Sequence, residues 1–196
     1  LDLLETNIAY NYNNELVKIN NILKPYSLHF GNRVYNEIMM FVLNSLNGIC
    51  VGKRDQHKHA NTSNNDLIEI DKLDIEKFSS HYEAFDLAVR MKILPKFHGT
   101  KQALEVPIMR LIGEFCEVKD LEENKAIKYV KDTKSLRLDN GGDELNITEM
   151  PVLEIKSGVP KLMLSGKEYR AKYPHTACKL FEMLYKLRTN GFASFL

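Results

Sequence analysis

The chain has 196 residues, 44% hydrophobic and 27% charged, with 27 Lys+Arg against 26 Asp+Glu. That length holds one core or two lobes of roughly 100 residues each, and the near-neutral balance excludes a global pull toward nucleic acid or an anionic membrane. No apolar run approaches the ~18 residues of a membrane span, and Cys50, Cys116 and Cys178 are widely spaced without a CxxC pair, the pattern of buried thiols in a reducing, cytoplasmic setting.

The opening, "LDLLETNIAYNYNNELVKIN", lacks an initiator Met and reads as the end of a longer chain, so 1–27 is expected to be a linker from an upstream domain. In "FGNRVYNEIMMFVLNSLNG", Val34, Ile38, Phe41, Val42 and Leu46 recur at helical spacing and Asn47-Gly48 supplies a stop. "KRDQHKHANTSNND" has no periodicity and reads as a solvent loop. Its His57 and His59 beside Cys50 lack third and fourth ligands, so no metal is expected. A second helix follows through Ala84, Leu87, Ala88 and Met91, halted by Pro95 and Gly99. A third runs through Ile108, Leu111, Ile112 and Phe115, with Pro107 expected in its first turn. "LEENKAIKYVKD" reads as a short charged helix anchored by Ile127 and Val130.

At "RLDNGGDELNITEM" a turn cluster changes the composition, and "MPVLEIKSGVPKLMLSG" reads as two short strands joined by Ser157-Gly158. The last helix begins at Pro174, carries the stripe Ala177, Leu180, Leu184 and Leu187, and closes at Asn190-Gly191. The expected fold is therefore α+β, mainly α with a small β-hairpin element: a helical domain over 28–118, then a hairpin and C-terminal helix over 119–196.

The chemistry begins with absences. No GxxxxGK[ST], GxGxxG or GxSxG occurs, so the sequence has no recognisable phosphate cradle or nucleophile elbow. Glu154-Ile155-Lys156 has the form of the D…ExK nuclease pair, in which two carboxylates hold a divalent ion and the Lys steadies developing negative charge. Asp143 and Asp139 are the upstream acids available to it. An outward-facing Glu and Lys on an alternating strand is also the ordinary surface pattern, and that reading is favoured. A metal-dependent nuclease using Asp143, Glu154 and Lys156 stays as one alternative. A non-catalytic adaptor that binds a partner or DNA stays as another.

Three phrases in order, "LKPYSLHFGNRVYNEIMMFV", "AFDLAVRMKILPKFHGTKQALEVPIMRLI" and "YPHTACKLFEMLYKLRTNGFASF", resemble the C-terminal region of McrB-like AAA+ NTPases of bacterial restriction and phage-defence systems. The resemblance implies a helical lid-like bundle plus C-terminal helix, inactive alone, following an AAA+ core in the same chain. It further implies a parent that hydrolyses GTP or ATP with magnesium, assembles as a homo-oligomer ring, and reaches DNA through a separate nuclease subunit, in the cytoplasm and away from any membrane. Arg33 matches the family's Arg at the start of the lid helix, which implies a nucleotide-sensing contact with the terminal phosphate. His175 stands where the family pattern has Arg. Walker A, Walker B and sensor 1 motifs are absent from this stretch.

Overall fold

The computed structural model describes residues 3–57, 82–139 and 142–195. Helix α1 (Leu3–Leu23) is joined by a 3-10 turn over Lys24–Tyr26 to α2 (Asn32–His57). Helix α3 covers 82–92 and leads through a 3-10 turn at Leu94–Lys96 into strand β1 (His98–Thr100). Helix α4 (Lys101–Arg110) continues as a π-helical turn over Leu111–Phe115. The β region holds β2 (Lys119–Asp120), β3 (Ile127–Val130), β4 (Ser135–Leu138), β5 (Val152–Lys156), β6 (Val159–Leu164) and β7 (Lys167–Arg170). Helix α5 (Pro174–Asn190) and strand β8 (Phe192–Ser194) follow.

Eight strands in three antiparallel sheets overturn the mainly helical expectation: the described residues form a mixed α+β fold. The four-stranded sheet runs β2-β7-β6-β5, and two-stranded ladders pair β1 with β8 and β3 with β4. The β5–β6 hairpin turns at Ser157-Gly158 as expected, with φ 53 and 77, the left-handed pair that matches strand twist. The next turn, Ser165-Gly166, repeats that geometry at φ 47 and 77 and adds β7, so the hairpin becomes a meander. "LEENKAIKYVKD" is not a helix. Ile127 and Val130 lie on β3, which pairs Ile127 with Leu138 and Val130 with Ser135. Two apolar residues three apart fit a helix or a strand equally well, and the partner strand decides.

Residues 1–27, expected as a linker, contain a helix built into the core. Ile8, Tyr12, Leu16, Ile19 and Leu23 recur every three to four positions and are buried. Burying a side chain of this kind stabilises by roughly 1.5–3 kcal/mol. The same apolar cluster runs from Ile8 through Ile38, Phe85, Ile112, Leu136, Leu162 and Leu180 to Ala193, so it crosses the boundary expected at 118–119. At its centre Tyr12 stacks on Phe85 at 4.4 Å and Phe115 on Tyr173 at 4.7 Å, with Phe85 and Tyr173 5.3 Å apart.

Other expectations need correction at single residues. Asn47-Gly48 does not stop α2, which runs on through Lys53 to His57; an internal Gly costs only about 1 kcal/mol relative to Ala. His59 and the rest of the polar segment lie outside the described residues, as does the side chain of Cys50. On α3 the buried face is Phe85, Ala88 and Val89, whereas Leu87 and Met91 are exposed. Pro107 sits inside α4 because that helix starts six residues earlier, where Lys101 N–H donates to the Gly191 carbonyl at 2.8 Å. The π turn then lets Gly113 meet strand β3: a Cβ there would stand 2.3 Å from Tyr129 N. Helix α5 matches its expected limits, with Gly191 at φ 74 donating to the Leu187 carbonyl.

Candidate functional site

Three places carry charged side chains that the sequence or the structure brings forward. The first is the Glu154/Lys156 strand. Glu154, Lys156, Lys161 and Glu168 share the outer face of the four-stranded sheet. Lys156 Nζ lies 3.1 Å from Glu154 Oε2 and 2.5 Å from Glu168 Oε1, and Lys161 Nζ lies 3.0 Å from Glu168 Oε2. Hydrogen bonding to Glu168 first, then to Glu154, raises the Lys156 pKa, while Lys156 and Lys161 lower that of Glu168. The ammonium that the nuclease alternative would turn toward a substrate is thus paired with one carboxylate on its own strand and one on β7. The upstream acids belong to a different sheet. Asp143 follows β4 and its carbonyl accepts from Leu138 N–H, and Asp139 Oδ1 accepts from Ala126 N–H at 3.2 Å, closing the open end of the β3–β4 ladder. Among the described residues no three His, Cys, Asp or Glu side chains are grouped to hold a metal ion.

The second place is the start of α2. Asn20 on α1 fixes the approach by bonding both backbone groups of Phe30, donating to its carbonyl at 3.1 Å and accepting from its N–H at 2.9 Å. Arg33 emerges in the first turn with its side chain 91% exposed, and its Nε donates to Glu37 Oε1 at 3.0 Å. Glu37 also takes Lys92 Nζ at 2.7 Å, and these two cations, Lys92 before Arg33, hold its carboxyl below the ordinary range. A cleft of about 240 Å³ between α1 and α2 opens beside it, lined by Val17, Asn20, Phe30, Gly31, Asn32 and Tyr35 among others.

The third place was missed in the sequence. The α5 N-terminus has no side-chain cap of its own. Asp86 on α3, 2% exposed, supplies one from 90 residues away: His175 N–H donates to Oδ2 at 3.0 Å and Thr176 N–H to Oδ1 at 2.8 Å, while Thr176 Oγ1 donates to the Asp86 carbonyl. One helical turn beyond Asp86, Arg90 lines a groove of about 420 Å³. Its other walls are Pro151, Val152 and Leu153, the α5 residues His175, Cys178, Lys179 and Glu182, and Phe195. Lys179 Nζ pairs with Glu182 at 3.3 Å and lies 5.3 Å from the Phe195 ring centroid. Burial first, then Glu182, pushes the Cys178 thiol up to about 11, so it is no nucleophile at neutral pH. Arg90 Nε is buried and has no hydrogen-bond acceptor. Of its walls, the sequence had drawn attention only to His175, where the resembled McrB-like pattern has Arg, and to Cys178 as a thiol.

Within "KILPKFHG", Leu94 and Phe97 are fully buried. Lys96 Nζ donates to the His29 carbonyl and Phe195 N–H to the Phe97 carbonyl, so the segment ties the approach to α2 to the residue after β8. No helix among the described residues is long and apolar enough to cross a membrane.

No curated protein and no solved structure matches the chain. One family model, described as a domain of unknown function (DUF8727), matches residues 2–192. That span takes in α1, the β3–β4 ladder, the four-stranded sheet and α5 together, and the chain belongs to the DUF8727 family.

Proposed function

We propose that the domain is a non-catalytic lid module of a McrB-like AAA+ NTPase, which closes over GTP or ATP with magnesium held by a core elsewhere in the parent protein. In that role it passes the closure between subunits of a ring and so couples hydrolysis to DNA restriction by a separate nuclease. The observation that carries the reading is Arg33: a guanidinium 91% exposed at the first turn of a long helix, beside a cleft, on a corner held rigid by Asn20 and Lys96. A planar, permanently charged group suits two phosphate oxygens at once, and the helix N-terminus favours the same anion. The absence of a phosphate-cradle motif supports a module that completes a site rather than one that contains it. The separated acids and the ion-paired Lys156 weigh against the nuclease alternative.

The test has two arms. Purified alone, the chain is expected to release no phosphate from GTP or ATP above background. In the parent protein, Arg33→Ala is expected to lower hydrolysis by about tenfold or more, the loss of one charge-assisted phosphate contact. Unchanged turnover in a correctly assembled variant refutes the assignment.

A further inference from the structure

Among the described residues, Arg90 Nε is the only buried side-chain nitrogen or oxygen without a hydrogen-bond partner. Every other arginine with a described side chain has an acceptor: Arg33, Arg110, Arg137, Arg170 and Arg188. Leaving a buried charged donor unmatched is costly. The groove does not correct this from within, because its one carboxylate, Glu182, is engaged with Lys179. One negative charge from outside would balance Arg90.

The shape of the groove says more. Val152 and Leu153 both line it, yet consecutive strand residues point to opposite faces. The groove therefore meets β5 along its edge. That edge is the outer one, since β6 occupies the other side and β5 ends the order β2-β7-β6-β5. Among the described residues no backbone group of β5 bonds beyond its own ladder. Open edges are usually guarded by charge or proline. Here Pro151 guards only the start, Glu154 and Lys156 are drawn into the ion pairs of the outer face, and Val152 and Ile155 are 51% and 69% exposed.

We propose that the outer edge of β5 and the adjoining Arg90 groove form a docking site for an extended segment of a partner protein, whose acidic side chain is received by Arg90. The incoming strand pairs its backbone with β5, places apolar side chains beside Val152 and Ile155, and sets one carboxylate against the guanidinium as a charge-assisted pair. A free anion satisfies Arg90 but leaves the strand edge and apolar wall open. A polyanion such as nucleic acid meets Glu182 and Glu154 with a single uncompensated cation to attract it.

The site is independent of Arg33, and the experiment keeps the two apart. Random ten-residue peptides displayed on phage are selected against the whole chain. The expected consensus has one Asp or Glu flanked by alternating apolar residues, and a selected peptide shifts the backbone amide resonances of residues 152–155. Replacing its acid by the matching amide, which leaves the domain untouched, weakens binding by about tenfold or more, and Arg90→Gln does the same. Arg90→Lys retains part of the affinity, and Arg33→Ala changes nothing. Recovery of no binder, a consensus without an acid, amide shifts elsewhere, or less than a twofold loss on removing the acid overturns the proposal. So does inorganic phosphate perturbing the Arg90 side chain when no peptide does, which would make the groove a small-anion site.

Discussion

Asp86→Ala tests the long-range cap that joins α3 to α5. The carboxylate is 2% exposed and accepts from two backbone N–H groups, His175 at 3.0 Å and Thr176 at 2.8 Å. Hydrogen bonds to a charged group are worth about 1.5–3 kcal/mol each. Removing the buried charge returns part of this as relieved desolvation, leaving a net loss of roughly 2–4 kcal/mol. For a domain of this size, each kcal/mol moves Tm by about 2–4 °C, so Tm should fall by about 5–15 °C. Asp86→Asn should fall between Ala and wild type, because its carbonyl still serves one N–H while its amide confronts the other. Urea unfolding followed by circular dichroism gives the free energies, and calorimetry gives Tm. An Asp86→Ala variant within about 0.5 kcal/mol of the parent, the range of a neutral surface change, would refute the cap as a stabilising contact.

Gly113→Ala should cost about 1–3 kcal/mol by the same unfolding assay, because the added methyl meets the Tyr129 backbone at 2.3 Å; unchanged stability would mean that β3 retreats freely. Stability should hold below pH 8 and fall as pH rises past about 9. Burial lifts the Cys116 and Cys178 thiols above the ordinary 9.0 and the Tyr12 and Tyr173 hydroxyls above 10.0, so the unfolded chain loses these protons first. A urea midpoint that is flat or rising from pH 8 to 11 would contradict that burial. Glu154→Ala and Lys156→Ala should leave the melting curve nearly unmoved, and the wild-type chain should not cleave plasmid DNA with magnesium or manganese. Metal-dependent nicking abolished by both variants would restore the nuclease alternative.

What could be read in the sequence was local. Pro174 and Gly191 mark both ends of α5 because each fixes its own backbone, and Ser157-Gly158 marks a hairpin for the same reason. Helix α1 was hidden because Asn7, Asn11, Asn13 and Asn14, poor helix formers, crowd the positions around its stripe, and its packing partners lie far along the chain. On α3, Phe85, Ala88 and Val89 and the set Leu87 and Met91 both fit a helical period, so spacing alone cannot choose the buried face. Strand β3 needed β4 to declare it, and β7 extended the four-stranded sheet by pairing with both β6 and β2. At the candidate sites, Arg33 could be named because its phrase at the start of a helix resembles the McrB-like pattern. Arg90 could not, because the want of an acceptor belongs to its surroundings in space rather than to neighbouring residues.

The four-ring aromatic stack also sets an order of events during synthesis. Tyr12, Phe85 and Phe115 leave the ribosome well before Tyr173, which stacks on Phe115 and lies tilted against Phe85. Until α5 emerges, the nascent chain presents uncovered aromatic surface, and Asp86 has no helix to cap. A nascent chain halted ahead of Tyr173 is therefore a better client for chaperones than the finished domain, and a pause there prolongs the interval of greatest aggregation risk.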